Sequence, residues 1–492
     1  RLLPFLLLFL FRKPKLLIPI LLIGAIWYFF LGGQETLSGG TTVSDNNDQQ
    51  GDFSFGAALS EEEFDKAEVF APLSYGSYSQ YRIPSSVSLS DYAPKRLHQG
   101  QQGSCVGWAT SYAARTILQA QATNQAPNNV AFSPSFLYNQ IALSGCNGAY
   151  MRNALEVLRT RGDLPYNDYP YTDQSCSKLP NNSQQQQAQQ FRIKGYNRLT
   201  AGAGNYTIDL DGVKQHLAQG APVVIGMQVG GTFMQAMRGR EVWNPNSRDR
   251  SLMGYSGHAM CVIGYDDNKS GGAFQIMNSW GESWGQDGIA WVRYADFEYF
   301  VKEAYGLYPM GTAPKYDPDK LAVKFGLVDN ATQQLIKLTQ VGNRIYKTQR
   351  PITKGEKFKA AVTNTIESYI YIFGEETDGS SYVLFPYTSK HSAYCGITGT
   401  RLFPKDYSMV ADNMGTTDQI AIVVSKVELN YDALNRAINN SRARSYADKL
   451  QEAIASVSIS NVQFTAGQTV EFNATTQGNQ NAVGVVIQID KR

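Results

Sequence analysis

Cys105 lies in the run HQGQQGSCVGWA, residues His98 to Ala109, among glycines, small polar residues and glutamines, just before an apolar run at helical spacing. A structural cysteine is usually buried within an apolar strand or helix. A reactive one needs a tight turn, access and often the first turn of a helix, where backbone N–H groups favour the thiolate. As a nucleophile it needs a base, a group to orient that base and donors for the developing oxyanion. Of the four histidines, His258 opens an apolar strand pattern in Ser256-Gly257-His258-Ala259-Met260. Asn278 closes another and begins Asn278-Ser279-Trp280-Gly281-Glu282-Ser283-Trp284-Gly285. Its amide oxygen is suited to accept from one imidazole nitrogen and so aim the other at sulfur. His98 reads as loop surface and His216 as part of a helix over Asp211 to Leu217. His391 and Cys395 have no further ligand types around them, so no metal is expected. Cys261 alternates with apolar neighbours and reads as a buried strand residue.

These stretches together resemble the papain-like cysteine peptidases, whose signature joins Gln, Gly-Ser-Cys at a helix start, His-Ala before a strand ending in Gly-Tyr, and Asn-Ser-Trp-Gly-x-x-Trp-Gly. His258 lies 153 residues and Asn278 173 residues beyond Cys105, near the roughly 130–150 of that family. The resemblance implies Cys105 as nucleophile, His258 as base and then acid, and Asn278 as the group that orients His258. It implies Gln99 as a side-chain donor to the oxyanion, Trp280 as a cover over the Asn–His hydrogen bond and Trp284 as an apolar wall. Cys146-Asn147-Gly148-Ala149-Tyr150 resembles the loop that pairs with substrate backbone, which makes Gly148 and Ala149 substrate-binding, and the second-subsite wall falls near Gly226 or Met227. A thiolate beside an imidazolium is implied, with its pKa well below about 8.5. The sequence departs from the pattern at Val106, Ala149, Gly257 and Gln102. The last stands where the family has a half-cystine, which leaves Cys176 as the mate of Cys146 in a disulfide. The implied activity is hydrolysis of peptide bonds through a thioester acyl-enzyme. A non-hydrolytic peptide-binding or adhesion scaffold and a transpeptidase are the alternatives.

The elements that must position these groups follow from periodicity. Ser111 to Gln121 and Met151 to Leu158 carry apolar residues at helical spacing, and strands beginning at Pro222, Ala259, Ala273 and Ile289 follow. Helices first and sheet second predict an α+β, papain-like domain with a helical lobe and a β-barrel-like lobe over residues 83–312. The polar run between Ser177 and Gln190 reads as a mobile surface loop. Ser60-Glu61-Glu62-Glu63 reads as the cap of a short helix running to Val69. Beyond the Pro-containing linker near Gly311, alternating patterns predict a β-rich, sandwich-like domain over 320–492, with helix over Tyr431 to Ala455 and strand over Val470 to Ile489. Thr377-Asp378-Gly379-Ser380 marks a hairpin. Part of this stretch, roughly Gly342 to Val424 and including Val341-Gly342, Pro351-Ile352-Thr353-Lys354, Tyr369-Ile370-Tyr371-Ile372-Phe373 and Val383-Leu384-Phe385-Pro386, resembles a bacterial module of unknown function. Its partner is not evident.

With 492 residues and a net charge of +2, the chain is long enough for two or three domains and gives no reason to expect nucleic acid. Five cysteines do not make a disulfide scaffold or a zinc site, and no cofactor is implied. Leu16 to Leu31 is uncharged and follows Arg12, Lys13 and Lys15. Sixteen helical residues rise about 24 Å, slightly short of a ~30 Å hydrocarbon core. The run reads as an N-terminal transmembrane helix over residues 1–33, with a cleaved signal sequence as the alternative, followed by a flexible tether over 34–82. The charge bias keeps the N-terminus cytoplasmic and sends the peptidase domain to the periplasmic or extracellular side of a bacterial inner membrane. The expected partners are a peptide or protein substrate and the membrane.

Overall fold

The computed structural model describes residues 53–308 and 317–492. The expected anchor at 1–33, the tether up to residue 52 and most of the linker near Gly311 lie outside the described residues. Among those described, no helix is long and apolar enough to cross a membrane. The longest helical run, residues 105–123, is interrupted by Ser111, Arg115, Gln119 and Gln121. The expected single pass through a bacterial inner membrane, with the membrane as a partner, is corrected accordingly: no described element supplies the span.

The helical half of the first domain is built on residues 105–123. The run begins at Cys105, winds as a π-helix over Trp108–Arg115 and continues as an α-helix over Thr116–Thr123. It is buried on nearly every side. Helices Pro134–Tyr138 and Met151–Thr160 pack near it. In the second of these, Met151, Ala154, Leu155 and Leu158 are buried, which is the i, i+3, i+4, i+7 stripe of an amphipathic helix.

The other half is a seven-stranded antiparallel sheet. Its members are β1 (Ser86–Ser88), β2 (Tyr196–Arg198), β5 (Val223–Val229), β6 (Ser256–Asp266), β7 (Ala273–Met277), β8 (Ile289–Arg293) and β9 (Val301–Leu307), while β3 (Thr200–Gly202) and β4 (Asn205–Ile208) form a separate hairpin. The order is β2-β9-β5-β6-β7-β8, with β1 beside β6. Register places Met227 opposite His258, Gly226 opposite both Ala259 and Glu303, and Cys261 opposite Met277. β6 is buried along most of its length, and Cys261 lies inside it.

The C-terminal domain is a sandwich of two seven-stranded sheets. One is centred on Lys320–Asp329 between Lys357–Asn364 and Val470–Thr475. The other is centred on Thr417–Ser425 between Ser368–Glu375 and Ala482–Asp490. Phe325, Val362 and Phe472 from the first meet Ile370, Ile422 and Val485 from the second in one apolar cluster, as expected for two inner faces. The hairpin at Gly379 forms between Ser368–Glu375 and Ser381–Phe385.

Five local expectations change. The single helix over Tyr431 to Ala455 is two, Tyr431–Asn440 and Tyr446–Ala453, because Ser445 caps a new start by accepting from the Asp448 N–H. Val470 to Ile489 is split between the two sheets. The polar run after Ser177 folds into helix Asn182–Ala188 through a capping box: the Asn181 side chain accepts from Gln184 N–H, and the Gln184 side chain from Asn181 N–H. Residues 53–82, expected in the tether, are packed against the domain. Ser60 does cap a helix, but it ends at Asp65, and Val69 instead forms isolated bridges on both sides, opposite Arg198 of β2 and opposite His391.

Candidate active site

Cys105 is the first residue of its helix, at the end where unpaired N–H groups point outward. It is fully buried, and its sulfur accepts from Ala259 N–H at 3.4 Å. Helix start and β6 therefore meet here, and the residue before Ala259 is His258. His258 Nε2 lies 2.7 Å from Asn278 Oδ1. A carboxamide oxygen only accepts, so Nε2 carries the proton and Nδ1 is the basic nitrogen. Nδ1 has no hydrogen-bond partner. Asn278, one residue past β7, is itself oriented by Ser279 N–H, which donates to Oδ1 at 2.7 Å.

Trp280 stacks on the imidazole with ring centroids 4.3 Å apart, excluding water from the Asn278–His258 bond. Trp284 meets Trp280 edge-on at 5.9 Å and donates its indole N–H to Phe233 O. Gln99 is buried; its Oε1 accepts from Ser279 Oγ at 2.6 Å, and its Nε2 donates to Gln102 O and to Ser54 Oγ. Gly148 takes φ +104°, a conformation open to glycine, and donates to Tyr138 Oη, whose proton goes to Cys146 O. Cys146 and Cys176 are joined in a disulfide. The structure thus gathers Cys105, His258, Asn278, Gln99, Gly148, Ala149 and Trp280, with Trp284 behind Trp280. His98 is exposed, while His216 and His391 lie in other parts of the fold.

Sequence reasoning missed what lies across this cleft. Residues 53–60 occupy it. Phe53 stacks on Trp280 at 4.7 Å, and Phe55 meets the edges of Trp280 and His258. Trp280 Nε1–H donates to Ser54 O. Gly56 and Ala57 both donate to Gly257 O, Ala149 N–H donates to Gly56 O at 2.8 Å, and Ala58 N–H donates to Ala149 O at 3.1 Å. The segment therefore runs parallel to the Gly148–Ala149 loop and uses its free backbone groups. Leu59 lies against Gly226 and Gly257, where the sequence placed a subsite wall. Beyond it, Ser60 N–H donates to Glu303 Oε1 at 2.8 Å. The Glu303 carboxyl is pushed up to about 7 by burial, partly offset by the bonds from Ser60 and Tyr305. A faint signal existed in the run Phe53-Ser54-Phe55-Gly56-Ala57-Ala58-Leu59, which is far more apolar than the polar residues before it.

Burial also runs against the expected electrostatics. Burial pushes the Cys105 thiol up to about 12, against the bond from Ala259. Burial also pushes His258 down to about 4, against the bond to Asn278. Both effects disfavour charge, so the covered pair is a neutral thiol and a neutral imidazole rather than the expected ion pair.

Residues 84–305 match the papain family cysteine protease family, and residues 352–428 match a domain of unknown function (DUF4384). Cathepsin K of Mus musculus is 30% identical over 213 residues, covering 42% of this chain and 59% of that protein. Cysteine proteinase 3 of Entamoeba histolytica is 27% identical over 209 residues, covering 42% of this chain and 61% of that protein. The chain thus spans about three fifths of the length of these curated relatives. Among solved structures, xylellain, a cysteine protease from Xylella fastidiosa, is 22% identical with a TM-score of 0.44, over 55% of this chain and 100% of that one. The first domain thus matches the papain family of cysteine proteases over residues 84–305, and the second matches a domain of unknown function.

Proposed function

We propose that the chain hydrolyses peptide bonds with Cys105 as nucleophile, and that its cleft works only after residues 53–60 have left. The observation that supports this most is the sequence of contacts from sulfur to β6 to carboxamide: Cys105 Sγ at Ala259 N–H, and His258 Nε2 fixed on Asn278 Oδ1 beneath Trp280. With Nε2 committed to Asn278, Nδ1 takes the thiol proton as sulfur bonds to the scissile carbonyl carbon. The oxyanion accepts from the Cys105 backbone N–H and from Gln99 Nε2, where Ser54 Oγ now sits. The intermediate collapses when His258 returns the proton to the leaving amine. Water, deprotonated in turn by His258, then cleaves the thioester. Substrate backbone takes the place of Gly56 to Ala58 along Gly148 and Ala149. Trp284 walls the leaving-group side.

The test uses the full chain carrying Ala57→Pro and Leu59→Asp. The first removes a donor to Gly257 O, and the second sets a carboxylate toward Glu303. This variant should be labelled by a thiol-directed epoxide peptide and should cleave an unfolded protein substrate. Adding Cys105→Ala should abolish both. Labelling that survives Cys105→Ala, or no cleavage by the uncovered chain, contradicts the reading and leaves a peptide-binding scaffold.

A further inference from the structure

The segment that covers the cleft does not end there. After Ser60 it forms helix Glu61–Asp65 and then threads between the two domains. On one side, Arg198 of β2 donates to Glu68 O at 3.0 Å and accepts from Phe70 N–H at 3.1 Å. On the other, Val69 N–H donates to Lys390 O at 2.7 Å and Ser392 N–H donates to Val69 O at 3.1 Å. Residues 68–70 thus extend the protease sheet at its β2 edge and present their opposite edge to the C-terminal sandwich. The Asp65 carboxylate is shared in the same way, between Arg198 and Tyr206 of the protease domain and Lys390 of the sandwich.

The grip continues downstream. Arg401 is buried and donates to Ala71 O at 2.8 Å, while its other nitrogens hold Asn364 Oδ1 and Ile397 O within the sandwich. Ser74 N–H donates to Thr400 O at 2.7 Å, and Leu73 packs on Gly399. Gln215 of the protease domain holds Leu73 N–H and O. Only a single helical turn, Glu61–Asp65, separates this clamped stretch from Ser60 and the covering residues, so a shift at 65–74 has little slack to absorb it.

We propose that the C-terminal sandwich is the latch of the cleft-covering segment: its edges at Lys390–Ser392 and Thr400–Arg401 hold residues 65–74 and thereby keep residues 53–60 over Cys105. Loosening that grip, by a ligand or partner of the sandwich, opens the cleft. The proposal rests on the protease reading above and concerns the control of that same site. It gives the domain of unknown function a physical task that needs no catalytic group of its own.

The experiment compares labelling of Cys105 by iodoacetamide at pH 7 in full-length variants. Lys390 is half-exposed, so Lys390→Glu replaces attraction to Asp65 by repulsion without disturbing a core. Reversing one charge of a half-exposed pair weakens it only modestly, so labelling should rise roughly three- to tenfold. Amide exchange at Ala57 and Ala58 should accelerate with it. Lys390→Arg should label at the wild-type rate. Lys405→Glu should also do so, because Lys405 donates to Ala201 O of the protease domain and, among the described residues, makes no hydrogen bond or ion pair with the segment. The uncovered variant Ala57→Pro/Leu59→Asp sets the upper limit. Wild-type labelling in Lys390→Glu beside fast labelling in the uncovered variant overturns the latch while leaving the protease reading intact. Equal acceleration in Lys405→Glu overturns it too, because loosening of the domains in general then suffices. An uncovered variant that is labelled yet cleaves nothing removes the protease reading itself.

Discussion

Chemistry at Cys105 is governed by water. In the covered site both partners are neutral for the same reason, burial, and the thiolate is the reactive form. With the thiol at about 12, the thiolate fraction at pH 7 is on the order of 10⁻⁵. Labelling of the wild-type chain by iodoacetamide should therefore be slow at pH 7 and climb about tenfold per pH unit through the alkaline range. Readmitting water in Ala57→Pro/Leu59→Asp removes the penalty on both charges and lets the imidazolium and the helix N-terminus stabilise sulfur. Its labelling rate should rise at pH 7 and level off at a much lower pH. Superimposable pH profiles for the two proteins contradict this account. The candidate residues could be named from the sequence because each is a chemically distinctive type in a distinctive short context. Their charge state was not, because it depends on what lies over them, and Ser54 and Phe55 belong to a stretch with no motif.

Secondary structure was most legible where burial imposes a period. Met151 to Leu158 reads as a helix because one face is core, and β6 reads as a strand because its length is apolar. The stretch Asn182–Ala188 was misread because glutamine signals only polarity to a compositional eye. Yet glutamine is a good helix former, and the Asn181–Gln184 capping box supplies the start. The bridge at Val69 was invisible for a different reason: residues 68–70 are held by backbone bonds to Arg198 and Lys390, which leave no side-chain period. The substrate-loop element depends on a covalent tie. The Cys146–Cys176 bridge spans a sequence separation of 30 residues, and closing a loop of that size typically stabilises by about 2–4 kcal/mol. Cys146→Ser/Cys176→Ser should lower the denaturant midpoint by a corresponding amount. It should also weaken substrate binding more than turnover, because Gly148 and Ala149 sit beside the bridge. An unchanged midpoint contradicts a structural role for the bond.

At the scale of the whole molecule, two domains share one inserted strand. Residues 65–74 complete hydrogen bonding on both, so neither keeps its native edge when the other unfolds. Thermal unfolding followed by calorimetry should show a single main transition. Two well-separated transitions contradict that coupling. A change of pattern near Gly311 is visible along the sequence, whereas the interdigitation is not, since it joins residues more than 300 positions apart, such as Ala71 and Arg401.

Glu303 carries one last consequence. Beneath Leu59 it binds a proton more tightly than an exposed carboxyl does, and its raised value of about 7 belongs to the closed cleft. Opening admits water and returns that side chain toward the ordinary carboxylate range, so departure of the segment releases a proton at neutral pH. Acidity therefore favours closure, alkalinity favours opening, and an emptied cleft meets its returning occupant with more negative charge than it held when closed.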